Sequence, residues 1–330
     1  MNSFGKNFRV QIFGQSHGAY VGVIIDGCPP GIDLTPEDFT VDIERRKPGA
    51  KGTTPRKEAD IPEIISGVFN DRTSGAPMTI LFKNGNTRSS DYEKQRAVPR
   101  PGHADFVASK KYKGFEDYRG GGHFSGRLTV ALVAVGVVSK KVLAKYSPEK
   151  EINIQAELLE IGGEKDLEKG LQKAIDAKDT IGGIVECKVN NLPIGLGEPF
   201  FDSAESLISH AVFAIPAIKG IEFGSGFEAA KMFGSLHNDA IINASGETRT
   251  NHAGGIVGGI TNGNELVFRI AVKPTSSTPM EQHTLNVESG EVESFSVKGR
   301  HDLCIALRVP VVLEAVTAMV LTDLLMENNW

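Results

Sequence analysis

Apolar and polar positions along the chain first predict short alternating strands. FRVQIFG (8–14) and YVGVIIDG (20–27) read as two strands around a Ser-His-Gly turn, and MTILFK (78–83) reads as a third. Between them, Thr35 is placed to cap a helix, with Pro36 at its first position and Asp38 completing a T-x-x-D box. That helix should run to about Lys47 and stop before Pro48. Residues 84–122 hold no sustained period and predict a long irregular region, a length that compact domains reserve for function. SGRLTVALVAVGVVSKKVLAK (125–145) predicts a central helix, and VVLEAVTAMVLTDLLMEN (311–328) a second, mostly buried one. Residues 151–179 mix strand and polar helix and look peripheral, while IGGIVECKVN (181–190) and NELVFRIAVKP (264–274) read as strands. Strands alternating with long apolar helices imply a helix-containing core covered by sheets.

Composition narrows the class. The 330 residues, 40% apolar and 23% charged, suffice for a sizeable core. The start lacks a long apolar signal region, and the run LTVALVAVGVV (128–138) is too short to span a bilayer. Cys28, Cys187 and Cys304 form no disulfide framework. A soluble cytosolic protein, with no membrane partner, is the expectation.

Charge is unevenly spread. Residues 1–150 carry 23 Lys/Arg against 16 Asp/Glu, and the remainder is acidic, which argues against general nucleic-acid binding. The basic excess concentrates in RRKPGAKGTTPRK (45–57). This stretch is either a solvated charged face or a loop for a multiply anionic small molecule.

Three Gly-flanked histidine stretches carry the candidate chemistry: FGQSHG (13–18), RPGHAD (100–105) and KGRHD (298–302). In the second, Asp105 is placed to orient His103, and Arg100 to hold an anion beside it. None of the eight histidines shows a compact metal-ligand spacing, so a metal is not expected. The signatures GxSxG, GxxxxGK[ST] and a strand-anchored GxGxxG are missing. GGG (120–122), ahead of the central helix, suits close approach of an anion or flat ligand. SGETRTNHAGGIVGGITNG (245–263) and KPTSS (273–277) read either as ligand cradles or as surface turns. The residues alone point to an enzyme handling a small, phosphorylated, carboxylated molecule.

In this order and spacing, FGQSHG, IDGCPPG (25–31), ERRKPG (44–49), GNTRSSDY (85–92), RPGHAD, DYRGGGHFSGR (117–127), NHAGGI (251–256), KPTSS and GRHD resemble the chorismate synthase family over nearly the whole chain. The resemblance implies an α+β fold, a β-α-β sandwich with central helices between antiparallel sheets, as a single domain over 1–330 that assembles as a homotetramer. It implies conversion of 5-enolpyruvylshikimate-3-phosphate to chorismate and phosphate by 1,4-anti elimination, with reduced FMN and no net redox change. Carried over by motif, His17 protonates near the departing phosphate, His103 acts at the flavin N1/C2-oxygen edge, and Asp302 relays a proton near N5. Arg46 and Lys51 fall where the family contacts NADP(H), and with Arg100 they could equally clamp substrate anions. His123, Phe124, Ser125, Pro216, Ala217, Gly258, Lys273, Pro274, Thr275, Ser276, Ser277 and Arg300 occupy FMN positions. An external flavin reductant is the implied partner. Gln15, His123, Phe124 and Pro216 depart from the commoner glutamate, arginine, serine and asparagine. A flavin reductase, consuming NAD(P)H without a phosphorylated substrate, and a non-catalytic flavin or anion sensor are the rival readings.

Overall fold

The computed structural model describes residues 2–54, 58–85, 96–297 and 301–327. In it, the alternating segments form two antiparallel sheets with helices between them. One sheet has the order β1 (Ser3–Phe4), β2 (Arg9–Gly14), β3 (Tyr20–Asp26), β7 (Met78–Lys83), β4 (Pro62–Ser66). Its inner face is set by register: Val21 pairs with Phe82, Val23 with Ile80 and Ile25 with Met78, and all six side chains are fully buried. The other sheet runs β10 (Ile218–Phe223), β13 (Leu266–Val272), β9 (Gly183–Asn190), β8 (Asn153–Ile161). There Leu266, Phe268 and Ile270 pair with Val189, Cys187 and Val185, again all buried. Three two-stranded ribbons complete the strands described: β5 (Val68–Phe69) with β6 (Arg72–Thr73), β11 (Ile256–Val257) with β12 (Ile260–Thr261), and β14 (Gln282–Leu285) with β15 (Val292–Phe295).

The helix Thr129–Tyr146 packs on β2, β3 and β7, and the helix Val309–Glu327 packs on β8 and β9. Their mutual approach is closer than side chains normally permit. A Cβ added at Gly136 would stand 2.4 Å from Ala315 Cβ and 2.5 Å from its Cα, so only glycine fits there. The C-terminal helix is long and apolar enough to cross a membrane, yet here it is mostly buried inside the protein. Its polar residues are satisfied within the core. Thr317 and Thr322 hydroxyls donate to the carbonyls of Leu313 and Ala318, each at 2.7 Å. Glu314 accepts both terminal nitrogens of Arg45 at 2.7 Å, which fastens the helix Thr40–Arg46 to the core. Asp323 accepts the backbone N–H groups of Lys6, Asn7 and Phe8, so the first strands are pinned to the last helix.

The predicted strands and both core helices stand within a few residues of their expected bounds. The Thr35 start is also present as a capping box, since Thr35 N–H donates to Asp38 Oδ2 at 2.8 Å. It opens a 3-10 turn, Pro36–Phe39, before the helix proper. The region 84–122 differs from expectation, because it contains the helix Asp105–Lys111. Asp105 in its first turn and Lys110 and Lys111 in its last complement the helix dipole, a signal masked by the Pro and Gly just before it. The helix Ala204–Val212, capped by Ser203, also lies outside the elements that the sequence pattern predicts.

Cys28, Cys187 and Cys304 are free and buried. Burial pushes the Cys28 thiol up to about 11 and the Cys187 thiol up to about 12.

Gly136→Ala is expected to force the core helices apart and to cost about 1–3 kcal/mol, as small-to-large changes in packed cores do. Thermal unfolding should show a midpoint lowered by several degrees; an unchanged midpoint would contradict the close approach.

Candidate active site

A cavity of about 740 Å³ opens where both core helices begin. Gly126–Thr129 from one helix start and Ile305, Arg308 and Val309 from the other form part of its wall. The two helices run in the same direction, as the Gly136–Ala315 contact and the Thr322 hydroxyl near the Ser139 carbonyl require. Their positive dipole ends therefore converge on one space, which favours an anionic occupant.

His103 lies on this wall and is held by its own loop. Its Nδ1 stands 2.6 Å from Asp105 Oδ1. A carboxylate only accepts, so it is a protonated Nδ1 that faces Asp105. Arg100 Nε and Nη2 donate to Asp105 at 2.7 and 2.8 Å, and Nη2 also stands 3.0 Å from His103 Nδ1 and 3.2 Å from its Nε2. Burial alone would raise the Asp105 carboxyl, but the hydrogen bonds from Arg100 and His103 outweigh it and hold the group well below the usual carboxylate range. The sequence RPGHAD thus forms a closed Arg–Asp–His unit. It is tied in turn to KPTSS, where Arg100 Nη1 donates to Ser277 Oγ at 3.1 Å. Ser276 Oγ and Lys273 Nζ both donate to the Gly102 carbonyl, at 2.8 and 3.2 Å.

The triple glycine explains how two distant histidine loops meet. All three residues have positive φ. A Cβ on Gly120 would lie 2.2 Å from His17 Nδ1, and one on Gly121 would lie 3.1 Å from His103 Cε1. One glycine therefore backs each ring. His17 is buried, and Gly120 separates it from the cavity. His123 Nδ1 donates to the Gly14 carbonyl at 2.8 Å, and Ser16 N–H donates to the Gly122 carbonyl at 3.0 Å, stitching this loop to the FGQSHG turn. Phe124 lies 6.3 Å from the Tyr112 ring, centroid to centroid, and with His103 and His123 it divides the cavity from a second one of about 480 Å³. Ser125 caps the next turn by accepting from Arg127 N–H.

The other expected residues divide into those at the cavity and those away from it. Asp302 is on the wall, accepting from Thr54 N–H at 2.8 Å and from Arg308 Nη1 at 3.2 Å. Pro216 and Ala217 also line it, Ala217 with a left-handed φ of 76° and its carbonyl accepting Lys273 N–H. Lys273, Pro274, Thr275, Ser276 and Ser277 form a continuous strip of the same wall. Burial, with Lys219 nearby, draws the Lys273 ammonium below its ordinary value. Arg46 is at the wall too, but as a buried residue of the helix Thr40–Arg46. Lys51 turns away from the cavity, its Nζ donating to Gln172 on an exposed surface. Gly258 forms the exposed turn between β11 and β12, away from both cavities. Arg300 and most of GNTRSSDY lie outside the described residues.

Sequence reading had assigned nothing to Asp60, Asn84, Arg127 or Arg308. Asp60, Arg127 and Arg308 are all on the cavity wall. Asp60 and Arg308 have no turn glycine or histidine beside them, and their only sequence signal is a charge set against apolar segments.

The wall suits a flat cofactor bearing a phosphate. Ile12, Leu128, Leu132, Ile215, Ile305 and Val312 offer an apolar surface for a ring, while KPTSS offers hydroxyls and an ammonium. Thr275 Oγ1 and Arg46 Nε are buried at this wall without a hydrogen-bond partner among the described residues, so each has bonding capacity left for a ligand.

Because folding depresses the Asp105 carboxyl, its stabilising contribution is complete above about pH 4 and is lost as pH falls through the lower folded value. Asp105→Asn is expected to flatten this part of the acid limb. Denaturant midpoints for both proteins between about pH 5 and pH 3 check this, and parallel limbs would refute it.

Comparison with known proteins agrees with this geometry. Residues 8–326 match the family model described as chorismate synthase. A chorismate synthase from Chitinophaga pinensis is 72% identical over 326 residues, covering 99% of this chain and 97% of the relative. One from Dehalococcoides mccartyi is 44% identical, covering 98% and 96%. A chorismate synthase crystal structure matches with a TM-score of 0.73 at 26% identity, covering 98% of this chain and 93% of that one. With the histidine loops, the glycine backing and the sandwich in place, the chain belongs to the chorismate synthase family.

Proposed function

We propose that this cavity converts 5-enolpyruvylshikimate-3-phosphate to chorismate and phosphate by 1,4-anti elimination, with reduced FMN and no net redox change. The observation that carries this reading is the meeting of the RPGHAD, GGGHF, KPTSS and HD segments at one cavity where two helix N-termini converge. Reduced FMN, held by KPTSS and His123–Ser125, would lend electron density as phosphate leaves and recover it when the C6 hydrogen is lost, so the flavin would end the cycle still reduced.

The chain's own residues bind, orient and move protons. His17, behind Gly120, is assigned to protonation of the leaving phosphate. His103, oriented by Asp105 and Arg100, is assigned to proton exchange at the flavin N1/C2-oxygen edge. Asp302, oriented by Thr54 and Arg308, is assigned to the proton relay near N5. Thr275 and its neighbours in KPTSS, with His123, Phe124, Ser125, Pro216 and Ala217, are assigned to the flavin. Arg46 and Arg100 are assigned to substrate anions. Lys51, on the exposed segment, is where NADP(H) or an external flavin reductant could reach the protein.

Residues 1–330 are proposed to act as one domain, since a single hydrophobic cluster extends from Phe8 to Leu324. Three free buried thiols fit a reducing, cytosolic compartment. Phe200, Phe201, Phe227 and Phe233 are each largely exposed, and covering such rings would favour assembly into a homotetramer. Sedimentation equilibrium should give the mass of four chains; a monomer's mass would end that reading.

The activity is tested by anaerobic turnover with dithionite-reduced FMN, following chorismate and phosphate together. Equal release of both, lost with oxidised FMN, is expected. In the same assay, His103→Ala should lower turnover by about 10²–10⁴-fold. Its FMN binding should be largely kept. NAD(P)H consumption without the phosphorylated substrate would favour a flavin reductase instead.

A further inference from the structure

We propose that Asp60 is a positioning residue that aims Arg46 and Arg127 together at the substrate's anionic groups. The inference rests on the function proposed above and deepens it. Asp60 is one of the few non-glycine residues with a left-handed backbone, φ 52°, and its side chain is almost fully buried. Aspartate tolerates that conformation better than most residues, and the turn directs its carboxylate into the wall. Each oxygen serves a different guanidinium. Oδ2 accepts from Arg46 Nη2 at 2.7 Å, and Oδ1 accepts from Arg127 Nη1. Asp60, Arg46 and Arg127 all line the same cavity.

Both arginines are otherwise anchored to the catalytic loops. Arg127 Nε donates to Asn84 Oδ1 at 2.9 Å, and Asn84 Nδ2 donates to the Gln15 and Gly18 carbonyls that frame His17. Arg46 Nη1 donates to Thr129 Oγ1 at the first turn of the core helix, and the Arg46 carbonyl accepts from Arg308 Nε. Arg308 in turn holds Asp302. Asp60 is thus the central link in a chain of contacts from the His17 turn to the Asp302 loop.

The charge balance explains why one carboxylate is set between two cations. Buried guanidiniums repel each other, and burial, with repulsion from Arg308 and Arg127, draws Arg46 down to about 10 even though Asp60 opposes the change. On Asp60 itself burial would raise the carboxyl, but the two arginines outweigh it and hold the group ionised, below its ordinary value. One negative charge for two positive ones leaves a net positive wall. Arg46 Nε, still without a partner among the described residues, is available there. A phosphate or carboxylate of the substrate completes the set.

The test is steady-state turnover of Asp60→Asn with saturating reduced FMN, beside FMN binding and thermal unfolding of the same protein. KM for the phosphorylated substrate should rise roughly 10- to 100-fold, the scale expected when a binding group is misplaced. FMN affinity should stay within about 3-fold. In an R46Q/R127Q background, D60N should change KM by less than about 2-fold, because its effect acts through those arginines. Asp60→Glu keeps the charge but extends it by one methylene, so KM should stay raised; this variant carries the same comparison if D60N does not fold. A normal KM in folded D60N or D60E would overturn the proposal. So would a full D60N effect in the background lacking both arginines, or a loss of FMN affinity with KM unchanged. An inactive wild type would sink the functional reading itself, whereas an active wild type with an indifferent Asp60 would sink only this inference.

Discussion

The contact between Gly136 and Ala315 governs much of this architecture. Without a side chain at 136, two apolar helices can lie almost backbone to backbone, and each is left with a free flank for one sheet. The same contact keeps the helices parallel and level, so both begin at the same depth in the molecule. Parallel dipoles repel, and where the helices start the like partial charges brought together are positive. The cavity sits at this point. An anion there offsets an electrostatic cost that the packing itself creates, so the core and the site express one physical constraint.

The second organising feature is the way polar loops are locked to one another. RPGHAD and KPTSS are 171 residues apart at the Lys273–Gly102 contact, yet their hydroxyl, ammonium and guanidinium groups leave little freedom between them. The glycine run does the complementary work by omission, letting two imidazoles approach the backbone where any Cβ would intrude. Charge is handled in the same local manner. Asp105 joins Arg100 to His103, Asp60 joins Arg46 to Arg127, and Glu314 anchors Arg45, so each of these three carboxylates has its cations close at hand.

How much of this was legible in the sequence depended on the range of the signal. Strands β3, β7, β9 and β13 follow a period of two, and the core helices are continuous apolar runs, so local pattern sufficed for them. His17, His103 and Asp302 stood out because glycines and charges cluster beside them. Asp60 did not, because KEADIP has no periodicity and its importance arises only when residues 46 and 127 fold onto it. The helix Asp105–Lys111 was hidden by the Pro-Gly turn that also positions His103. Gly258 shows the converse, since motif position placed it with the flavin set and the fold carries it to exposed surface.

The three buried cysteines bear on durability. A thiol attacks oxidants as its thiolate, and burial keeps Cys28 and Cys187 far from that form at neutral pH. Chemistry that depends on a reduced flavin generates peroxide whenever oxygen intrudes. With all three thiols buried, the scaffold offers such a by-product little thiolate to react with.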